Sequence, residues 1–324
     1  MNRLALPPPL AEHLRDSHWR VLVTGAGGWL GQAALELLAD ALGPDWRTRV
    51  AAFGSEERLL VLRDGSEIRQ QPLAMLPRCP RQPSLLLHFA YLTREKASRM
   101  PAETYIATNR ALSHLVAEGG AAIGVERAFV TSSGAAHAAL ATADDADPGL
   151  LYGKLKLEDE ALFEQFALAE PGRRALVARL FNLSGPYINK PYALASFIDQ
   201  AARGKRIQVR AMHPVVRSYT SVSNLLGVAM GQLLADHAPP FRRVETAGDH
   251  EVEVGELARM VRDLVSPDAI IERAECMREP IDRYVGDGAE YRRLMAGHGI
   301  AEHALARQIA DTAEYLAQLE PAQP

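Results

Sequence analysis

The sequence predicts an α/β fold, a doubly wound parallel sheet with a smaller, interleaved α/β lobe. Three observations predict it. Short apolar runs alternate with helix-period segments over residues 1–185. A glycine turn, Gly25-Ala-Gly27-Gly28-Trp29-Leu30-Gly31, joins the first apolar run to the first helix. Beyond Pro186 the alternation becomes irregular. Strands alternating with helices imply right-handed crossovers and a parallel sheet covered on both faces.

The elements read in order. Pro7 to Pro9 give a stiff lead-in to a short helix over 10–17. Trp19 to Thr24 is a strand, Gly28 to Ala39 a helix and Arg49 to Phe53 a second strand. Two runs then flank Asp64-Gly65, a strong hairpin signal, so a small antiparallel addition is expected there. Ser84 to Ala90 is a buried strand, Pro101 to Glu118 a helix, and Arg127 to Ser132 a strand. Ala138 to Gly149 reads as a loop ahead of a helix that carries Tyr152 and runs to about Ala169, and Ala175 to Asn182 is again a strand. Pieces such as Ala193 to Ala202, Ile207 to Arg210 and Val254 to Val265 suggest the second lobe, interleaved with strands returning to the first. The expected division is a dinucleotide-binding domain over 1–185 and about 212–250, with a substrate-binding lobe over 186–211 and 251–324.

Composition narrows the function classes. With 48% hydrophobic and 23% charged residues, the 324-residue chain can bury a full core. A net charge of −4 offers no basic excess for nucleic acid or anionic lipid. Cys79 and Cys276 stand far apart without metal-ligand spacing and read as free thiols. No apolar run reaches the ~20 residues of a membrane span, and the N-terminus lacks a signal-peptide pattern. A cytoplasmic protein without metal is expected.

Two motifs carry chemistry. Gly25, Gly28 and Gly31 follow a strand and open a helix, so the chain turns tightly and backbone N–H groups approach a pyrophosphate at the helix N-terminus. At the end of the second strand, Phe53-Gly54-Ser55, no acid is placed to bind the ribose hydroxyls of NAD; Ser55 and Arg58 suit a 2′-phosphate, which favours NADP(H) over NAD(H). The second motif is Tyr152 and Lys156, one helical turn apart on one face. An ammonium beside a phenol favours the phenolate and draws its pKa down from about 10, so the phenol can exchange a proton with a sugar or alcohol oxygen. Taken alone, such a pair is also what an ordinary amphipathic helix offers by chance.

Other segments fall in a fixed order: Leu87-His88-Phe89-Ala90, Tyr105 to Asn109, Thr131-Ser132-Ser133, Tyr152 to Lys156, and Arg179-Leu-Phe181-Asn182 to Tyr187. With the glycine turn, this set resembles the extended short-chain dehydrogenases/reductases of the NAD-dependent epimerase/dehydratase family, which act on nucleotide sugars. The resemblance runs from Val21 to about Leu294. It implies a Rossmann domain in which Tyr152 is the general acid/base. Lys156 would hold the nicotinamide ribose and Ser133 the reacting oxygen, with Ser132 as fallback, and Asn109 would support the catalytic region. It further implies cofactor contacts from Thr24 and the glycine turn with Trp29 and Leu30, from Phe89, Ala90 and Tyr91 after the next strand, and from Phe181. For the substrate it implies Asn182, Arg217 on the diphosphate and Arg283 as a second contact. It also implies a homodimer through the helices over 101–118 and 152–169.

The departures from the family pattern sharpen the expectation. Sugar 4,6-dehydratases carry an acidic pair after the catalytic Ser/Thr, whereas Gly134, Ala135 and Ala136 follow Ser133. Pro72-Leu73 replaces the usual Asp-Leu beside the adenine, with Gln71 as a substitute contact. The expected activity is hydride transfer between NAD(P) and a sugar carbon, C4 by preference, of a nucleotide-activated hexose or 4-keto-6-deoxyhexose. An NADPH-type ketoreductase is favoured over a redox-neutral 4-epimerase that retains NAD. A non-catalytic nucleotide-binding or regulatory protein is the alternative of another class, opposed by the intact Ser133, Tyr152 and Lys156.

Overall fold

The computed structural model describes residues 4–140, 148–188, 192–248 and 250–319. The chain begins with α1 (Pro8–Asp16), β1 (Arg20–Thr24), α2 (Trp29–Leu42) and β2 (Val50–Gly54). Pro8 supplies the preset φ and missing donor suited to a first helical turn. Gly43, with φ 75°, ends α2 in a backbone conformation that a side chain would strain. Next come β3 (Arg58–Val61) and β4 (Glu67–Pro72), the antiparallel hairpin that Asp64-Gly65 predicted. Gly65 takes φ 80°, and the Asp64 carboxylate accepts from Ser66 N at 2.9 Å. The hairpin is more than an addition, because β4 also pairs in parallel with β2 and so extends the main sheet.

The series continues with β5 (Ser84–His88), α3 (Arg94–Ala97), α4 (Ala102–Ala122), β6 (Val125–Ser133), α5 (Gly134–Leu140), α6 (Pro148–Leu168) and β7 (Arg174–Leu180). The loop expected over 138–149 is therefore shorter: Ala138 to Leu140 close α5, Pro148 and Gly149 open α6, and 141–147 lie outside the described residues. The small, β-branch-free run Gly134-Ala-Ala-His-Ala-Ala accounts for α5, since alanine costs little to hold in a helix. The strand expected to reach Asn182 stops at Leu180. Asn182 instead opens β8 (Asn182–Ser184), which pairs with a different strand.

After β8 follow α7 (Ala193–Ala202), β9 (Ile207–Val209), β10 (Val215–Ser221), α8 (Val222–Leu234), β11 (Phe241–Thr246) and β12 (Glu251–Glu253). The chain closes with α9 (Val254–Val265), β13 (Ile271–Arg273), β14 (Asp282–Tyr284), α10 (Ala289–Gly297) and α11 (Leu305–Gln318).

Two compact units emerge: Leu4–Leu180 with Leu226–Glu245, and Phe181–Leu225 with the described residues from Thr246 onward. Of the stretch 212–250 expected with the dinucleotide-binding body, only Leu226–Glu245 group with it, and Met212 to Leu225 group with the second unit. In the first unit lies an eight-stranded sheet of order β11-β7-β6-β5-β1-β2-β4-β3, counted among the described residues. Pairs β1/β2, β1/β5, β5/β6, β6/β7 and β2/β4 are parallel. All residues of β1 and β5 are buried, as a sheet covered on both faces requires. Leu22, Phe53, Leu86, Ala128, Val130, Phe163 and Val177 share one core. The chain winds to β2 on one side of β1 and returns to β5 on the other. The C-terminal ends of β1, β2 and β5 therefore meet at the switch point where open α/β sheets bind ligands.

In the second unit, β12, β10 and β14 pair side by side, β8 adds to β10, and β9 pairs with β13. Helices α7, α9 and α11 enclose a core of Leu194, Ile198, Leu257, Val261 and Ile309. The apolar face of α9 recurs at helical spacing, and Glu253 caps its first turn through Gly255 N at 2.8 Å.

Candidate active site

The glycine turn sits at the switch point of the first unit. Gly25 takes φ 69°, and a Cβ there would stand 2.7 Å from Phe89 C and Ala90 N. Only glycine therefore lets the turn close against the segment after β5. Ala26 N donates to Phe53 O at the end of β2 (3.0 Å), and Phe89 N donates to Thr24 O (3.1 Å), so three strand ends converge. Gly31 is buried, and a side chain there would collide with the Gly25 carbonyl and Ala26. Helix α2 has Gly28 as N-cap, no side-chain cap and no acid in its first turn. The first N–H groups of a helix have no partner within it, so the positive end of the α2 dipole suits an anion. This cradle fits a dinucleotide pyrophosphate.

Beside the cradle, a side chain on Gly27 would collide with the Arg58 guanidinium, so Arg58 reaches from β3 onto the glycine turn. Ser55 is exposed, and Glu57 is paired with Arg69. The residue that fills the space against Gly54 is Gln70, with its carboxamide where a Gly54 side chain would be, and it donates to Glu56 O at 2.8 Å. Gln71, the substitute expected from the sequence, is exposed. Gln70 was missed because parity along β4 decides which of two adjacent glutamines turns inward, and parity depends on the register with β2.

Tyr152 and Lys156 lie on α6, and both converge on Tyr91. The ring centroids of Tyr91 and Tyr152 are 6.1 Å apart, edge to face, and Lys156 Nζ stands 3.3 Å from the Tyr91 ring centroid. Lys156 is buried, donating to Thr131 O at 2.9 Å and to Asp159 Oδ2 at 3.2 Å. Burial pushes its pKa down, and the Asp159 carboxylate opposes that shift. Thr131 is two residues before Ser133, so this lysine ties α6 to the strand end that carries the serine. Ser133 is buried, and its Oγ accepts from Ala135 N at 3.2 Å.

Asn109, on α4, accepts from Leu92 N at 2.9 Å, and Tyr105 donates to Leu92 O at 2.8 Å. Both fix the segment that presents Tyr91. At the end of β5, His88 Nδ1 lies 2.6 Å from Thr24 Oγ1. Burial, with the Lys156 charge adding and Asp159 opposing, brings the His88 pKa down to about 4, so its imidazole is neutral at ordinary pH.

Behind Ser133 lies a charge cluster that the sequence did not disclose. Glu160 accepts from Ser132 Oγ at 2.5 Å, from Arg179 at two positions of 2.8 Å, and pairs with Arg243 at 2.7 Å. Arg179 also approaches Glu245 at 3.5 Å, and Glu245 hydrogen-bonds His137 at 2.8 Å. His137, which follows Ser133 by four residues, is thus engaged at the outer edge of this cluster.

The remaining candidates lie in the second unit. Asn182 donates to Ser218 O at 3.1 Å, and Phe181 meets Tyr284 at a tilt of 48° with centroids 4.8 Å apart. Arg217 is held by Asp282 through bonds of 2.8 and 3.1 Å, and Arg283 pairs with Glu251. Each predicted substrate arginine therefore has an acidic partner. Among the described residues no group of His, Cys, Asp and Glu is arranged to hold a metal, and no helix is long and apolar enough to cross a membrane.

Comparison with known proteins bears on this site. No curated protein matches the chain. Solved structures similar to it include MoeE5 in complex with UDP-glucuronic acid and NAD, at 21% identity and TM-score 0.69, covering 92% of this chain and 99% of that one. The UDP-N-acetylglucosamine 4-epimerase from Methanobrevibacter ruminantium M1, in complex with UDP-N-acetylmuramic acid, aligns at 15% identity and TM-score 0.74, over 93% and 99% of the two chains. The NAD-dependent NDP-hexosamine 5,6-dehydratase TunA, involved in tunicamycin biosynthesis, aligns at 17% identity and TM-score 0.70, over 93% and 98%. At these identities the likeness is one of fold. The family model for the NAD dependent epimerase/dehydratase family matches residues 21–228, well over half of the sequence. The protein is therefore an enzyme of the extended short-chain dehydrogenase/reductase type, and it belongs to the NAD-dependent epimerase/dehydratase family.

Proposed function

We propose that the protein is an NADP(H)-dependent ketoreductase acting at a sugar carbon, C4 by preference, of a nucleotide-activated 4-keto-6-deoxyhexose or hexose. The observation that carries the reading is Lys156, bonded to the strand end bearing Ser133 and gathered with Tyr152 around Tyr91. Nicotinamide, when bound, supplies the hydride chemistry. The protein's part is to place a proton donor and a hydrogen-bond donor at one oxygen. Tyr152 delivers the proton to the developing alkoxide, Ser133 orients that oxygen, and the Lys156 charge favours the phenolate left behind.

The NADP(H) preference rests on Arg58, laid over the glycine turn, and on Gly54 and Ser55, in place of an acid, at the tip of β2. A guanidinium there suits a 2′-phosphate. Substrate recognition is assigned to Asn182, Arg217 and Arg283, with Arg217 leaving Asp282 for the diphosphate.

A second reading is a redox-neutral 4-epimerase that retains NAD, since 4-epimerases are among the similar structures. In that case Tyr152 serves as base and then acid on the same oxygen as the sugar turns over. A homodimer through α4 and α6 is part of either reading; a monomeric mass in light scattering at micromolar concentration would contradict it. Denaturing the purified protein and identifying released dinucleotide separates the two activities. An empty site that takes up NADPH supports the reductase, and stoichiometric NAD supports the epimerase.

A further inference from the structure

We propose that Asp159 is a positioning residue for the reaction, the counter-ion that keeps Lys156 charged and fixed beneath Tyr91. The proposal deepens the acid/base reading of Tyr152 and rests on it. Lys156 is 3% exposed, so an unaccompanied ammonium would be costly to keep there. Its surroundings can be taken element by element. From β6 comes the Thr131 carbonyl, at 2.9 Å. The segment after β5 contributes the face of Tyr91, whose phenol burial pushes far up and so keeps neutral. His88, at the end of β5, is likewise neutral above about pH 4. On α6 itself, Glu160 is already shared between Arg179 and Arg243, and Glu158 is paired with Arg110 of α4, whose His114 meets Glu118. That leaves Asp159, itself 3% exposed and 3.2 Å from Nζ, to supply the negative charge.

The second oxygen of Asp159 faces a different environment. A cavity of about 170 Å³ lies between α4 and α6, lined by Asp159, Asn109, Ser113, Tyr91, Leu155 and Leu162 among others. Asp159 Oδ1 and Asn109 Nδ2, both buried, make no hydrogen bond to other described residues. An acceptor and a donor on the wall of a cavity this size can hold water. Water there hydrates the carboxylate on the side away from Lys156. Asp159 thus holds the lysine from one side and is solvated from the other.

The test is a phenol titration that needs no substrate. Ultraviolet absorbance at the phenolate band is followed against pH for the native protein and for Asp159→Asn, each minus the same protein carrying Tyr152→Phe. With Asp159 uncharged, Lys156 loses its proton, and the Tyr152 midpoint should rise by about one pH unit or more, a tenfold smaller phenolate fraction below it. Asp159→Glu, which keeps the charge, should titrate with the native protein. Should Asp159→Asn not fold, Asp159→Ser is read in the same way. The pH profile of kcat should move in the same direction. A midpoint that stays put or falls in the uncharged variants would overturn the proposal. Because turnover is not the readout, a Tyr152→Phe enzyme that retained full activity would refute the acid/base reading and leave the titration result on Asp159 separate.

Discussion

The guanidinium of Arg58 occupies the space that a side chain on Gly27 would need, so an edge-strand arginine closes over the dinucleotide turn. The relationship is long-range in the sheet: β3 reaches β1 only through β4 and β2. It places a cation beside the turn.

Arg58→Ser should raise the KM for NADPH by about tenfold to a hundredfold, the 1.5–3 kcal/mol of a hydrogen bond to a charged group, and leave NADH almost unchanged. Gly27→Ala should fold, because the obstructing atoms are the far end of a flexible side chain, and should shift the same preference by displacing Arg58. Equal effects on both cofactors in steady-state kinetics would remove Arg58 from the 2′-phosphate site.

Glu160→Gln should be strongly destabilising. Its carboxylate, 1% exposed, is shared by Ser132, Arg179 and Arg243, and the variant sets a neutral amide against the buried Arg179 guanidinium. Breaking a buried pair from one side costs about 3–5 kcal/mol. Urea unfolding monitored by circular dichroism reads this, and a loss under 1 kcal/mol would mean that water reaches the cluster.

Stability should fall on mild acidification through His88. Its folded pKa, about 4, lies below the ordinary 6.5, so between those values the unfolded chain binds a proton that the folded one refuses. Stability therefore rises with pH across that window and is lost as pH falls from about 6.5 to 4, by roughly 3 kcal/mol in all. In His88→Asn this part of the pH dependence should disappear from chemical denaturation curves. A slope unchanged by the substitution would assign it to other groups.

Asp282→Asn should strengthen binding of a nucleoside diphosphate severalfold, because Arg217 loses the partner it must leave. Arg217→Ala should weaken the same binding. Calorimetry with UDP reads both, and an unchanged affinity in Arg217→Ala would place the diphosphate elsewhere.

Much of this molecule is legible in the chain. The glycine turn, the Asp64-Gly65 hairpin and the bounds of α9 follow from local signals: φ requirements, turn chemistry and period. Tyr152, Lys156 and Ser133 are proposed from ordered motifs. What could not be read depends on tertiary register. Nothing in Glu158-Asp159-Glu160 distinguishes the exposed first acid from the two buried ones. Glu158 meets Arg110 at the surface, Asp159 turns to Lys156, and Glu160 turns to β6 and β7. The choice of Gln70 over Gln71 has the same origin in sheet register. So does the packing of Tyr91, which the resemblance offered only as a cofactor contact and whose ring meets both Tyr152 and Lys156.

The most direct measurement is turnover of Tyr152→Phe with NADPH and a nucleotide-linked 4-keto-6-deoxyhexose, followed at the nicotinamide band, beside NADPH binding to the same protein. The site built around Tyr152, Lys156 and Ser133 predicts unchanged NADPH affinity and a kcat lower by about 10²–10⁴-fold, the span of general acid/base catalysis. A variant that reduced the keto sugar at the native rate would contradict the assignment of Tyr152 as the proton donor.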